Sequence, residues 1–152
     1  PLWSNKSFDS GVGVLNKTYD LYQGSAKFAA LGLRAQMGQP VGPSLLCMGC
    51  HDGTHMHSQT LFDETNAMTK THPMGMVYDT ALSIAANGTL EDPNVKMSGL
   101  GGTVAADLLD EQNRVACTSC HEVHSTRVAN ADGNDHMKYV SNNDLCVTCH
   151  IK

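Results

Sequence analysis

The feature that most constrains this chain is a five-residue pattern, C-x-x-C-H, that occurs three times. The copies are CMGCH at residues 47–51 (motif one), CTSCH at 117–121 (motif two) and CVTCH at 146–150 (motif three). Together they use all six cysteines. Because only 8 of the 152 residues are histidine, three such coincidences would arise by chance at on the order of 1 in 10,000, so we expect one shared chemical role.

The pattern is typical of covalent haem c attachment. Two cysteines three residues apart lie on one face of a helical turn, where both thiols can reach the two vinyl groups of one macrocycle. The next residue can then ligate the iron from the same side. We therefore predict three covalently bound haems c. The thioether cysteines are Cys47, Cys50, Cys117, Cys120, Cys146 and Cys149, and the proximal iron ligands are His51, His121 and His150.

Other uses of paired cysteines explain the pattern less well. Two C-x-x-C pairs could form a zinc ribbon, but the third pair and the adjacent histidines would have no role. A thioredoxin-like dithiol needs one motif at a strand–helix junction rather than three. Structural disulfides rarely link cysteines separated by only two residues. Covalent haem predicts a red protein whose colour survives acid–acetone extraction.

The composition points to a core that side chains alone do not supply. Only 5% of residues are aromatic, whereas 14 are glycine and 8 are methionine. Three large apolar macrocycles would compensate for this shortage. We therefore predict a haem-cored, mostly irregular fold with short α-helices and little or no β-sheet. The chain is expected to be one domain, residues 1–152, in which a haem-free segment, 1–46, packs on the haems bound by 47–152.

Local patterns predict where the short helices lie. We expect helices around residues 25–34, 78–86 and 105–111, separated by glycine-rich loops. Ser44 is a candidate N-cap for the helix that carries motif one, and Asn142 or Asn143 for the helix that carries motif three. Motifs two and three are joined by a short link, so their haems are expected to be neighbours.

Each iron also needs a sixth ligand unless it is open for chemistry. Five histidines lie outside the motifs, and imidazole is the common partner for such irons. His72 ranks first, because Pro73 fixes the local backbone and Gly75 allows close approach to a ring. His124 ranks second, serving the haem of motif three. His57 ranks third, with His55 and His136 as alternates. Methionine is the rival ligand, at Met48, Met56, Met74, Met76, Met97 or Met137.

Charge and hydropathy exclude some partners. The formal net charge is −5 without long basic runs, which argues against nucleic-acid binding. No apolar segment approaches the roughly 18–20 residues of a membrane span. The chain begins at Pro1 rather than Met, which fits a cleaved mature protein and, equally, a trimmed one.

The ordered set of motifs resembles the multihaem cytochromes c of the cytochrome c3-like, or doubled C-x-x-C-H, family. Members carry C-L-S-C-H-D-G-T, H-P-V-G, C-S-S-C-H-x-x-H and a terminal L-C-x-x-C-H-x-K. The corresponding stretches here are CMGCHDGT at 47–54, HPMGMV at 72–77, CTSCHEVH at 117–124 and LCVTCHIK at 145–152, with Trp3 and Tyr19 or Tyr22 upstream. The resemblance implies a periplasmic or extracellular electron carrier of anaerobic, metal- or sulfur-respiring microbes, with His72 and His124 as distal ligands.

The favoured function is electron transfer through closely spaced, mainly bis-histidine, low-potential haems, with redox proteins as partners. His55, His57 and His136 exceed the family pattern. They raise the alternative of a filament subunit that shares an axial histidine with another copy of itself. A haem enzyme of the nitrite- or sulfite-reducing type would need an open iron, which the spare histidines do not require. We therefore expect an electron carrier rather than an enzyme.

Overall fold

Short helices and irregular chain make up the fold, as expected from the sequence. The computed structural model describes residues 18–19, 21, 37–51, 72–124, 137–139 and 142–152. Within these ranges, extended segments meet only at isolated antiparallel bridges, and the element list holds no strand. The helices described are α1 (Gly42–His51), α2 (Thr80–Ala85), α3 (Val104–Leu108), α4 (Cys117–Cys120) and α5 (Asn142–Cys149).

The two helices between the motifs begin at side-chain caps. The carboxylate of Asp79 accepts a hydrogen bond from the Leu82 N–H at 2.8 Å and starts α2. The hydroxyl of Thr103 accepts from the Ala106 N–H at 3.3 Å and starts α3. Such caps satisfy backbone donors that a helix leaves unpaired in its first turn. The helices predicted around 78–86 and 105–111 are therefore confirmed, whereas the one around 25–34 lies outside the described residues.

The predicted caps of the motif-bearing helices are wrong. α1 begins at Gly42, with Pro43 in the first turn where its missing N–H costs nothing. Ser44 is therefore inside the helix, and its buried hydroxyl accepts a hydrogen bond from the Cys117 N–H at 3.0 Å instead. α5 begins at Asn142, so the two asparagines are its first helical residues rather than its N-cap.

A small apolar core joins α2 and α3. Its buried members are Tyr78, Leu82, Val104, Leu108 and Val115. The Tyr78 ring is buried, and its hydroxyl donates to the Glu91 carbonyl oxygen at 2.6 Å and to that of Cys149 at 3.3 Å. Burial raises the pKa of Tyr78 far above its ordinary value, so the hydroxyl stays a donor. This core is thus tied directly to the last turn of α5.

A second cluster lies on the other side of motif one. Tyr19 and Met48 are buried against each other, with Leu21 and Met74 packed beside them. The Gln39 side chain holds the Tyr19 backbone through two hydrogen bonds of 2.8 and 2.9 Å. Part of the segment 1–46 therefore packs against α1.

A tight turn leads the chain into motif two. The Asp110 carboxylate accepts from the backbone N–H groups of Gln112 and Arg114 at 2.9 and 2.8 Å, and from Arg114 Nε at 2.9 Å. Asn113 completes the turn with a φ of 56°. Burial alone would raise the pKa of Asp110, but the backbone donors and the guanidinium outweigh it and lower that pKa.

We expect this turn to make the free energy of unfolding depend on pH in the acidic range. Because the folded pKa of Asp110 lies below its unfolded value, its contribution is present above about pH 4 and is lost as the pH falls further. Asp110→Asn should reduce the free energy of unfolding at neutral pH by about 1.5–3 kcal/mol. Below about pH 4, the free energy of unfolding of this variant should also fall less steeply than that of the unchanged protein. Urea unfolding across a pH series measures both, and parallel stability curves would contradict the role of Asp110.

No helix within the described ranges is long and apolar enough to cross a membrane.

Candidate functional site

Motifs one and two lie side by side. α1 packs against α4, and α4 also contacts α3. The hydrogen bond from the Cys117 N–H to Ser44 Oγ joins the two motif helices, and the Cys47 and Cys117 side chains are also hydrogen-bonded. This bond to Cys47 lowers the pKa of the Cys117 thiol to about 7, although burial acts in the opposite direction. The predicted helical turn between the cysteines is present in all three motifs.

The two motifs border one cavity of about 250 Å³. Thiols and imidazoles from both motifs face it, together with a further histidine and apolar side chains. Its lining is Cys47, Met48, His51, His72, Met74, Val115, Ala116, Cys117, Cys120, His121 and Val123. None of these described lining residues is Asp, Glu, Lys or Arg. The cavity therefore suits an apolar group that needs sulfur and imidazole contacts at its edges.

The segment that carries His72 is held against motif two by backbone contacts. The Gly75 N–H donates to the Val115 carbonyl oxygen at 2.8 Å, and the Val115 N–H donates to Met76 O at 3.0 Å. Gly75 has a φ of 75°, and a Cβ there would lie 2.5 Å from Gly38 O. The sequence predicts that Gly75 allows close approach to a ring. In the structure, the group that lies close to Gly75 is the backbone of Gly38.

Motif three is anchored by the loop after α2. The backbone of His150 bridges that of Leu90, the Glu91 N–H donates to Cys149 O at 2.9 Å, and the Ile151 N–H donates to Thr89 O at 3.1 Å. His150 follows α5 directly, and its N–H closes the last turn on Cys146 O at 2.9 Å.

Electrostatics link motif three to motif two. Burial raises the pKa of Cys149 to about 11, and the charges of Cys120 and Cys146 add to the effect. Burial likewise raises the pKa of Cys120, with contributions from Cys117 and Cys146. Cys149 also packs against the core that contains Val115, two residues before motif two, so motifs two and three are neighbours, as their short link suggested. The sequence did not suggest that motif one would join them.

His72 lies between the cavity and motif three. Its ring centroid is 6.2 Å from that of His150, and the two ring planes are inclined by 74°. His72 Nδ1 is 3.0 Å from the Pro73 carbonyl oxygen. Burial and the neighbouring His72 both lower the pKa of His150, which favours its neutral, ligating form.

Of the other four candidate sixth ligands, the structure describes one. His124 is exposed in the turn after motif two, where its backbone N–H donates to Glu122 Oε1 at 3.1 Å. His55, His57 and His136 lie outside the described residues, as does the side chain of Cys50. The hypothesis of an axial histidine shared between copies therefore stays a prediction.

The described methionines differ in their surroundings. Met97 is 59% exposed. Met48, fully buried beside Tyr19, and Met74 both border the cavity, and Met74 Sδ lies 3.6 Å from Cys117 Sγ. Among the described residues, no three His, Cys, Asp or Glu side chains converge as ligands of a single metal ion.

Three residues of the site had no sequence signal that we recognised. The sequence predicts a helix cap at Ser44 and a short helix that begins near Tyr78, and it does not distinguish Met74 from the other methionines. Each acts through a partner distant in the chain, at Cys117 or Cys149.

Comparison of the chain with models of protein families, with curated proteins and with solved structures found no match.

Proposed function

We propose that the protein is a c-type cytochrome that carries three covalent haems and transfers electrons between redox partner proteins. The observation that supports it most is the shared cavity, where the cysteines and histidines of two C-x-x-C-H motifs meet beside His72. Zinc or dithiol chemistry would not call for an apolar space between the motifs, whereas the apolar edge of a macrocycle would lie against such a lining.

The residues present fit such a group. The described motif cysteines are thiols rather than disulfides, and one helical turn separates the two members of each pair. Some apolar side chains beside the motifs are exposed: Leu46 is 63% exposed, Val123 60% and Ile151 45%. Large apolar groups bound next to them would cover this surface.

Each part of the chain has a role in this function. A haem, when bound, supplies an iron that accepts and donates one electron without binding a substrate. Cys117 and Cys120 would hold the macrocycle of motif two by thioethers, and His121 would ligate its iron. Met74, Val115 and Val123 would shield the ring from water, which tunes its potential. The adjacency of the three motifs favours transfer from one haem to the next.

Visible and EPR spectroscopy of the purified holoprotein, with redox titration, tests the function. An electron carrier should show low-spin ferric haem throughout, low midpoint potentials, and no spectral shift with CO or nitrite. Fully high-spin haem with ligand-induced shifts would contradict it and indicate a haem enzyme instead. A colourless, zinc-containing protein would contradict the haem assignment altogether.

A further inference from the structure

We propose that His72 and His150 ligate the same iron, that of the haem attached at Cys146 and Cys149, so that His72 takes the position for which the sequence favoured His124. This inference deepens the proposed function and rests on it. The first observation is the 6.2 Å separation of the two ring centroids. Two imidazoles bound to one metal, each through a nitrogen at about 2 Å, place their centroids roughly 6 Å apart. The separation of the two centroids therefore matches that of two imidazoles bound to one iron.

The second observation concerns the protonation of His72. A carbonyl oxygen only accepts hydrogen bonds, so the 3.0 Å contact with Pro73 O assigns the proton to Nδ1. The Nε2 lone pair is then available to a metal. Histidine ligands in proteins almost always donate their second ring nitrogen in this manner, because it fixes the tautomer and the ring orientation. His72 therefore already has the support of a ligand.

The third observation is that separate supports set the gap. The His150 backbone is fixed by the bridge to Leu90, and the preceding Cys149 carbonyl accepts from the Tyr78 hydroxyl. The segment of His72 is fixed on the other side by the hydrogen bond from the Gly75 N–H to Val115 O. Tyr78 belongs to the same core as Val115, so one core supports the backbone on both sides of the gap.

The competing assignment is also clear. His72 borders the cavity that His51 and His121 line, so it could instead ligate the iron of motif one or motif two. A variant that lacks only the haem of motif three separates these assignments. Cys146→Ser with Cys149→Ser leaves two haems, which are then compared with and without His72→Ala. Under our proposal the ferric spectra of the two proteins are the same. A new high-spin haem in the protein with His72→Ala would overturn the pairing.

The three-haem protein provides a test that does not depend on the cysteine variant folding. His72→Ala should keep three covalent haems but convert one of them to a high-spin form that binds CO. His72→Met should instead keep that haem low spin, raise its midpoint potential and add a Met–iron charge-transfer band. Three unchanged low-spin haems in His72→Ala would overturn the proposal.

The inclination of the rings adds a spectroscopic signature. Planes near 74° apart make the two imidazoles interact with different iron d orbitals, so these orbitals remain nearly equal in energy. One haem should therefore give the highly anisotropic low-spin EPR signal of perpendicular ligands, and His72→Ala should abolish that signal. If the signal persisted in His72→Ala, the pairing would be wrong while the three haems stood. Failure of the proposed function looks different, because the unaltered chain would then carry either no haem or only high-spin haem that shifts with CO or nitrite.

Discussion

Replacing both cysteines of motif two, as Cys117→Ser with Cys120→Ser, should lower the covalent haem content from three to two per chain and cause the largest loss of stability among the motifs. Motif two contacts both α1 and α3 and borders the shared cavity. We expect a loss of at least about 3–5 kcal/mol, the cost of removing one large aromatic side chain from a core. Denaturant unfolding of the holoproteins, followed by circular dichroism, measures it.

The matched control is the same double change in motif three, Cys146→Ser with Cys149→Ser. It also removes one haem, but Cys146 is exposed, and no residue of α5 is among the described residues that line the shared cavity. The smaller loss is expected there. Equal destabilisation in the two variants would show that motif two is not central to the fold. A chain that kept three haems in either variant would contradict the attachment sites.

Gly75→Ala should be the most damaging single substitution outside the motifs. The φ of 75° is costly for any residue with a Cβ, by about 1–2 kcal/mol. The added methyl would also lie 2.5 Å from the Gly38 carbonyl oxygen and near the rest of its backbone, which cannot move aside as a side chain could. We expect a total loss of about 3 kcal/mol or more, measured by denaturant unfolding.

Gly88→Ala provides the control for that clash. Gly88 has a similar φ of 81°, but a Cβ there would meet nothing within 4 Å. It should therefore show the backbone cost alone, about 1–2 kcal/mol. The difference between the two variants measures the close approach of Gly38 and Gly75. Equal losses would mean that the two backbone segments do not pack as described.

The sequence predicted well what depends on local pattern. The absence of regular strands within the described residues and the positions of α2 and α3 followed from glycine-rich loops and short apolar runs. The helical turn of each motif followed from the spacing of its cysteines. The predicted cap at Ser44 is wrong because a serine hydroxyl can either start a helix or accept a hydrogen bond from a backbone N–H distant in the chain. Only the packing of α1 on α4 decides between them.

The arrangement of the site depends on contacts between distant segments. The link of 24 residues between motifs two and three predicts that they are close, but nothing in the pattern brings motif one to them. The Cys117 N–H donates to Ser44 Oγ, and the ring of His72 lies beside that of His150. Both contacts depend on packing of the core around Tyr78 and Val115. His72 ranks first in the sequence because of its local neighbours Pro73 and Gly75, whereas its partner is a property of the fold.

The most direct test of the central claim is the intact mass of the purified chain after acid–acetone extraction. Noncovalent haem is removed by that treatment, whereas haem held by thioethers stays attached. Our account predicts the mass of the polypeptide plus three haems, and a stepwise loss of one haem for each motif whose cysteines are replaced. The mass of the bare polypeptide would contradict the account and return zinc as the better explanation of the paired cysteines.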